Sequence, residues 1–176
     1  MKSKISIAVL ILFIFTSISC QESATVPTIK EPEKSTFFFI RHAEKDRSDN
    51  SNKNPELTEA GHERAQKWSE IFSNITFDHV YSTDYNRTKQ TAQPTATRNN
   101  LEISIYDPRK LDGPAFIEVN KGKTVLVVGH SNTTPSFVNA ILNEEKYSDI
   151  DDLNNGKLFI VSIINGIAEC SVLQVN

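Results

Sequence analysis

The chain has 176 residues, 38% of them hydrophobic and 23% charged, which fits one globular domain with a real core. A formal net charge of −3 argues against a nucleic-acid partner. Any site for an anion must therefore be assembled locally from a few placed cations.

The first nineteen residues read as a targeting segment rather than as part of the fold. MKSK is a basic start, ISIAVLILFIF is an apolar run too short to span a bilayer comfortably, and TSIS supplies small residues before Cys20. The pattern resembles a bacterial lipoprotein signal, with Cys20 as the lipidated first residue and the membrane as its partner. It departs from that pattern at Ser17, where Leu is usual. An uncleaved anchor and an ordinary signal peptide are the alternatives. Without residues 1–19, Lys2 and Lys4 drop out of 19 basic residues, leaving 17 against 22 acidic ones. Residues 20–35 then form a polar tether with two prolines, and the folded domain is expected over 36–176. With Cys20 carrying lipid, Cys170 has no intramolecular partner and reads as a small core residue.

Strand-like runs follow at 36–41, 78–82, 101–106, 123–129, 157–164 and 167–174, the last two joined by Asn165-Gly166, a type I′ hairpin signal. Helical patterns separate the earlier strands. In LTEAGHERAQKWSEIFSN, Thr58 is the expected N-cap, and Ala65, Trp68 and Phe72 share a face. In DYNRTKQTAQPTATRN, Asp84 is the expected cap, and Pro94 should kink or end the helix. In SNTTPSFVNAILN, Pro135 suits a first helical turn. Residues 43–57 and 107–122 read as loops with at most short helical pieces. Alternating strands and helices imply an α/β fold, a three-layer α/β/α sandwich with a mainly parallel central sheet and a C-terminal antiparallel hairpin.

In such sheets, ligands bind beyond the carboxyl ends of the strands. Three unusual clusters fall there. Arg41-His42 ends the apolar strand FFFI, Arg87 lies one turn into the helix after VYS, and His130 follows TVLVVG directly before a helix start. Two arginines with paired, forked donors suit the oxygens of a phosphate monoester. An unprotonated His42 can attack phosphorus, and a protonated His130 can stabilise the charge on its equatorial oxygens. Backbone N–H groups at Ser131 and Asn132 could add donors. Taken singly, these residues also fit bland roles: a salt-bridge pair with Glu44, a solvated helix residue, a helix cap. His62 and His79 fit surface or packing positions. His42-x-Glu44 could offer two zinc ligands, but no recognisable metal motif accompanies it.

RHAEK, LTEAGHERA, YSTDYNRTKQTA and VVGHSN, in that order, resemble the histidine phosphatase superfamily, in its phosphoglycerate-mutase-like branch (branch 1). The resemblance implies His42 as the phosphorylated residue, with Arg41, Arg87 and His130 forming the phosphate pocket. It implies water as the acceptor of the phosphoryl group, and no metal or organic cofactor. It does not identify the general acid. The glycine-rich, glutamate-bearing stretch of many relatives is missing from LEISIYDPRKLDGPAFIE, which leaves Glu44, Asp107 and Asp112 as candidates. About 140 residues after the tether leave little room for the enclosing insertions a mutase needs. The expected activity is therefore phosphomonoester hydrolysis, on a small phosphorylated substrate or a phosphoprotein. A phosphotransferase of the mutase kind and a phosphate-binding module without turnover are the alternatives.

Overall fold

The computed structural model describes residues 33–175. The expected signal segment, Cys20 and most of the expected tether lie outside them. Strand β1 (Lys34–Arg41) is the centre of construction, because KSTFFFIR is apolar on both faces. Phe37 and Phe39 point into one core with Val125, Val127 and Phe137. Phe38 and Ile40 point into a second core with Trp68, Phe72, Val80 and Ala92. A strand buried on both faces needs a layer of helices on each side.

The elements follow in chain order: α1 (Glu59–Ile71), β2 (His79–Ser82), α2 (Asn86–Arg98), β3 (Ile103–Ile105), α3 (Gly113–Val119), β4 (Thr124–Gly129), α4 (Thr133–Leu142), β5 (Lys157–Ile164) and β6 (Ile167–Gln174). The sheet order is β3-β2-β4-β1-β5-β6. β1, β2, β3 and β4 run parallel, whereas β5 pairs antiparallel with both β1 and β6. Helices α1 and α2 pack together over the Trp68 core, and α3 and α4 over the Phe137 core. The three-layer sandwich with its antiparallel C-terminal hairpin is thus as expected. Both hairpin residues have positive φ, 52° at Asn165 and 82° at Gly166, as the type I′ turn demands.

Several local expectations need correcting. Asp84 does not cap α2; Tyr85 holds the cap position without a side-chain bond, and Asn54 Oδ1 accepts from Asn86 N at 2.8 Å instead. Asp84 accepts from exposed Lys89. Pro94 does not end α2, which continues to Arg98. The helix tolerates the lost N–H because its buried face, with Thr91, Ala92, Thr95 and Ala96, packs against the sheet and α1. Cys170 is only half-buried, since β6 is an edge strand with most side chains exposed. The strand around β3 is three residues long rather than six.

Thr58 caps α1 as predicted, accepting from Gly61 N at 3.1 Å. The same residue ties the helix to the loop beyond β1: its N–H and hydroxyl both donate to Glu44 O, at 2.9 and 3.2 Å. A Cβ on Gly61 would come within 2.2 Å of that carbonyl, so only glycine lets α1 approach so closely. The LTEAGHERA motif is therefore a clamp on the chain two residues past His42.

Candidate active site

β1 lies between β4 and β5, so Arg41 at its carboxyl end is enclosed and only 1% exposed. A guanidinium taken out of water must recover its hydrogen bonds. The loop before β5 supplies them. Arg41 Nη1 donates to Asp151 O at 2.8 Å and to Asn154 O at 3.3 Å, and Nη2 donates to Asp152 Oδ1 at 2.5 Å. Asp152 also binds Arg47 at 2.7 Å, and the Arg47 and Arg41 contacts hold its carboxyl down at about 2. The Arg41 Nε–H is buried without an acceptor in the described chain.

His42 follows immediately. Its backbone N–H donates to Gly129 O at 2.9 Å, and its carbonyl accepts from buried Asn155 Nδ2 at 2.8 Å. Its ring Nδ1 is 2.7 Å from Ala43 O. A carbonyl only accepts, so Nδ1 carries the proton and Nε2 keeps its lone pair. Burial, with further contributions from Arg41, Arg87 and His130, pushes the His42 pKa down to about 3. The ring is neutral at every physiological pH.

The YSTDYNRTKQTA segment builds the opposite wall. Thr91 Oγ1 accepts from Ala43 N at 2.9 Å and donates to Arg87 O at 2.7 Å, which joins the loop after β1 to the first turns of α2. Gln90 Oε1 accepts from Leu57 N at 2.9 Å. Arg87 lies with its guanidinium carbon 4.5 Å from the Tyr85 ring centroid. Its Nη2 donates to His130 Nδ1 at 3.4 Å, while Nε and Nη1 are buried with no acceptor in the described chain.

That contact orients His130, which stands between β4 and α4. Since arginine only donates, His130 Nδ1 accepts and Nε2 carries the proton, donating to Thr83 Oγ1 at 2.9 Å. The Thr83 hydroxyl continues to Thr88 Oγ1 at 2.9 Å, and Thr88 donates to the carbonyls of Thr83 and Tyr85. Burial first, then Arg87 and Arg41, lower the His130 pKa to about 4. The two histidine rings lie 5.5 Å apart, nearly edge to face.

A cavity of about 310 Å³ joins these groups. The candidate residues Arg41, His42, Arg87, His130, Ser131 and Asn132 all line it, and Lys45, Tyr85, Pro108, Thr133 and Asp152 complete the wall. A larger cavity, about 560 Å³, adjoins it across Tyr85 and Pro108. Among the described residues, no group of three or more His, Cys, Asp and Glu side chains is placed to hold a metal ion. His62 is exposed, and His79 bonds Asn120 Oδ1 at 2.8 Å on the far side of the sheet.

The three carboxylates nominated as general acids are not in the phosphate-sized cavity. Glu44 turns away to Arg64 at 2.6 Å. Asp107 faces the adjoining cavity, where two hydrogen bonds from Arg109 hold its carboxyl at about 2. Asp112 caps α3, accepting from Ala115 N at 3.0 Å. Asp152, Asn155 and Thr83 were not foreseen. Asp152 and Asn155 lie in an acidic and polar loop with no periodicity, and Thr83 reads as an ordinary strand-end hydroxyl.

Residues 37–108 match the family model described as the histidine phosphatase superfamily (branch 1). No curated protein matches the sequence. Among solved structures, a mycobacterial glucosyl-3-phosphoglycerate phosphatase aligns with a TM-score of 0.62 at 14% identity, covering 81% of this chain and 100% of its own. A phosphoserine phosphatase from Entamoeba histolytica, in complex with 3-phosphoglyceric acid, aligns at 0.60 and 15%, covering 81% and 98%. A candidate phosphohistidine phosphatase, SixA, from Agrobacterium tumefaciens aligns at 0.58 and 17%, covering 80% and 98%. At these identities the likeness establishes the fold.

The two depressed histidines set a stability limb. Both rings have folded pKa values below the ordinary 6.5, so the unfolded chain binds more protons as acid is added. Their contribution is complete above pH 6.5 and declines as pH falls through about 4 and then 3. The urea midpoint should therefore drop between pH 7 and pH 5 in the wild type, and drop less in a His42→Gln/His130→Gln double variant. Equal drops would contradict the assignment of two neutral rings.

Proposed function

Taking the histidine phosphatase superfamily (branch 1) core at residues 37–108 as the premise, we propose that this chain is a metal-independent phosphomonoester hydrolase that works through a phosphohistidine on His42. The observation that carries the reading is a pairing. A neutral His42, with its tautomer fixed by Ala43 O, shares a cavity with guanidinium groups whose buried N–H donors have no acceptor in the described chain. Free donors of this kind suit the oxygens of a phosphoryl group.

The chemistry follows from the geometry. Arg87 offers Nε and Nη1, and Arg41 offers Nε, to the three phosphoryl oxygens. The start of α4 brings Ser131 and Asn132 to the same wall, where backbone dipoles favour an anion. His42 Nε2 attacks phosphorus, and the Nδ1–H bond to Ala43 O stabilises the positive charge that forms on the ring. His130 enters neutral; a bound dianion that draws Arg87 Nη2 off Nδ1 frees that atom and raises the ring's pKa, so the ring takes up a proton with the substrate and adds a positive contact. Water then attacks the phosphohistidine, and the electron pair of the broken P–N bond returns to Nε2. The adjoining cavity beside Tyr85 and Pro108 offers space for the leaving group. The neighbouring phosphatases lend this reading its reaction class.

The proposal includes export. The basic start, the short apolar run and Cys20 support a signal segment over 1–19, a lipidated tether over 20–35 and attachment to the bacterial cell envelope. Labelled palmitate should enter the protein in growing cells and be lost in Cys20→Ser; labelling that persists would sink the anchor.

For the activity, protein starting at residue 21 should hydrolyse an aryl phosphate in the presence of EDTA. His42→Ala should reduce turnover by at least about 10⁴-fold, as loss of a covalent nucleophile does. Turnover that requires an added divalent metal, or that survives in His42→Ala, would overturn the reading.

A further inference from the structure

The reaction above still needs a proton for the departing oxygen. No carboxylate near the cavity is free to give one. Glu44 binds Arg64 through Oε1, and its partnerless Oε2 does not line the cavity; Asp112 is committed to the α3 N-terminus. Asp84 binds Lys89, and Asp107 binds Arg109. Asp152, which does line the cavity, is held ionised by Arg47 and Arg41.

Two ionisable side chains in the wall have no part in the proposed chemistry so far: Tyr85, whose ring lies against the Arg87 guanidinium, and Lys45. Lys45 lines the cavity together with His42, Arg87 and His130. Its ammonium makes no hydrogen bond or ion pair with any described residue. Its backbone is firmly set, three residues beyond the nucleophile. Lys45 pairs with Leu57 in an antiparallel bridge, and the next residue, Asp46, donates its N–H to Glu56 O at 2.9 Å. Gln90 in turn holds Leu57 N, so the bridge is anchored to the helix that carries Arg87. The backbone of Lys45 is therefore firmly held, and its ammonium has nothing to donate to among the described residues. Of the cations in this wall, the arginines cannot release a proton at any working pH.

We propose that Lys45 is the proton donor of the reaction, a role that rests on the phosphohistidine reading above. As His42 Nε2 bonds to phosphorus, the P–O bond breaks and its electron pair goes to the leaving oxygen. A Lys45 Nζ proton passes to that oxygen and releases a neutral alcohol. The amine left behind takes a proton from the water that attacks the phosphohistidine, which restores the ammonium as phosphate is released. The groups facing Lys45 suit both halves of the cycle. Partial burial comes first, and Arg47, Arg87 and Arg41 add to it in lowering its pKa, while Asp152 opposes them.

The test compares leaving groups. Wild type, Lys45→Met and Lys45→Arg are assayed on phenyl phosphate, whose leaving group needs the proton, and on 4-nitrophenyl phosphate, whose leaving group does not. Lys45→Met should lose about 10²–10⁴-fold in kcat/KM on phenyl phosphate, which reports the step that expels the leaving group, and less than about ten-fold in kcat/KM on the nitrophenyl ester, which also reports that the variant is folded. Lys45→Arg should match Lys45→Met on phenyl phosphate, because a guanidinium keeps the charge and withholds the proton. Equal losses on the two esters, or recovery of phenyl phosphate turnover by arginine, would overturn the assignment and leave Lys45 as a fixed charge. Absence of His42-dependent turnover in the wild type overturns the phosphohistidine reading, and this one with it.

Discussion

A guanidinium that is 1% exposed is a severe constraint, and much of this site is arranged around it. Arg41 can be enclosed between β4 and β5 only because the loop before β5 turns two backbone carbonyls and Asp152 toward it. That loop also holds the His42 carbonyl through Asn155, and Ser131 O through Ile150 N at 2.8 Å. One segment thus sets the ends of β1 and of β4 relative to each other. Removing a partner from a buried charge commonly costs several kcal/mol, so the loop and the arginine stand or fall together.

The second theme is that burial decides protonation. Two histidines among arginines could share a bound proton, yet desolvation and like charge leave both neutral. Neutrality serves each differently. In the proposed reaction His42 keeps a lone pair for phosphorus, while His130 becomes a cation only when an anion arrives. The hydroxyl chain from Thr83 to Thr88 fixes the His130 tautomer, and the Ala43 carbonyl fixes that of His42. Ring orientation is thereby settled before substrate enters, which reduces the reorganisation the reaction requires.

Much of this was legible in the sequence, for definable reasons. A run such as FFFI, buried on both faces, announces a central strand, and cations and histidines at strand ends mark the ligand edge of an α/β sheet. Asn165-Gly166 carries its turn in its φ preferences. What failed was information carried by tertiary partners. Asp84 has the right chemistry for a cap, but Tyr85 holds the cap position and Asn54, thirty residues before Asp84, accepts from Asn86 N. Pro94 breaks isolated helices, but packing across the sheet and α1 holds α2 together. Of the candidate acids, Glu44 lies two residues past His42 and Asp107 and Asp112 lie in the loop that lacks the family's usual glutamate, and each bonds a partner that sequence cannot reveal. Lys45 lies in the RHAEK motif itself, but nothing in the sequence shows that its side chain lines the cavity.

The central claim is that His42 Nε2, and no other atom, receives the phosphoryl group. It is tested most directly by rapid quenching into base during turnover, followed by ³¹P and ¹⁵N correlation spectroscopy of the denatured protein labelled at its histidines. The account predicts a phosphoramidate on His42 bonded through Nε2, since Nδ1 is occupied by the Ala43 carbonyl. A phosphoryl group on Nδ1, on His130 or on no residue during active turnover would contradict it.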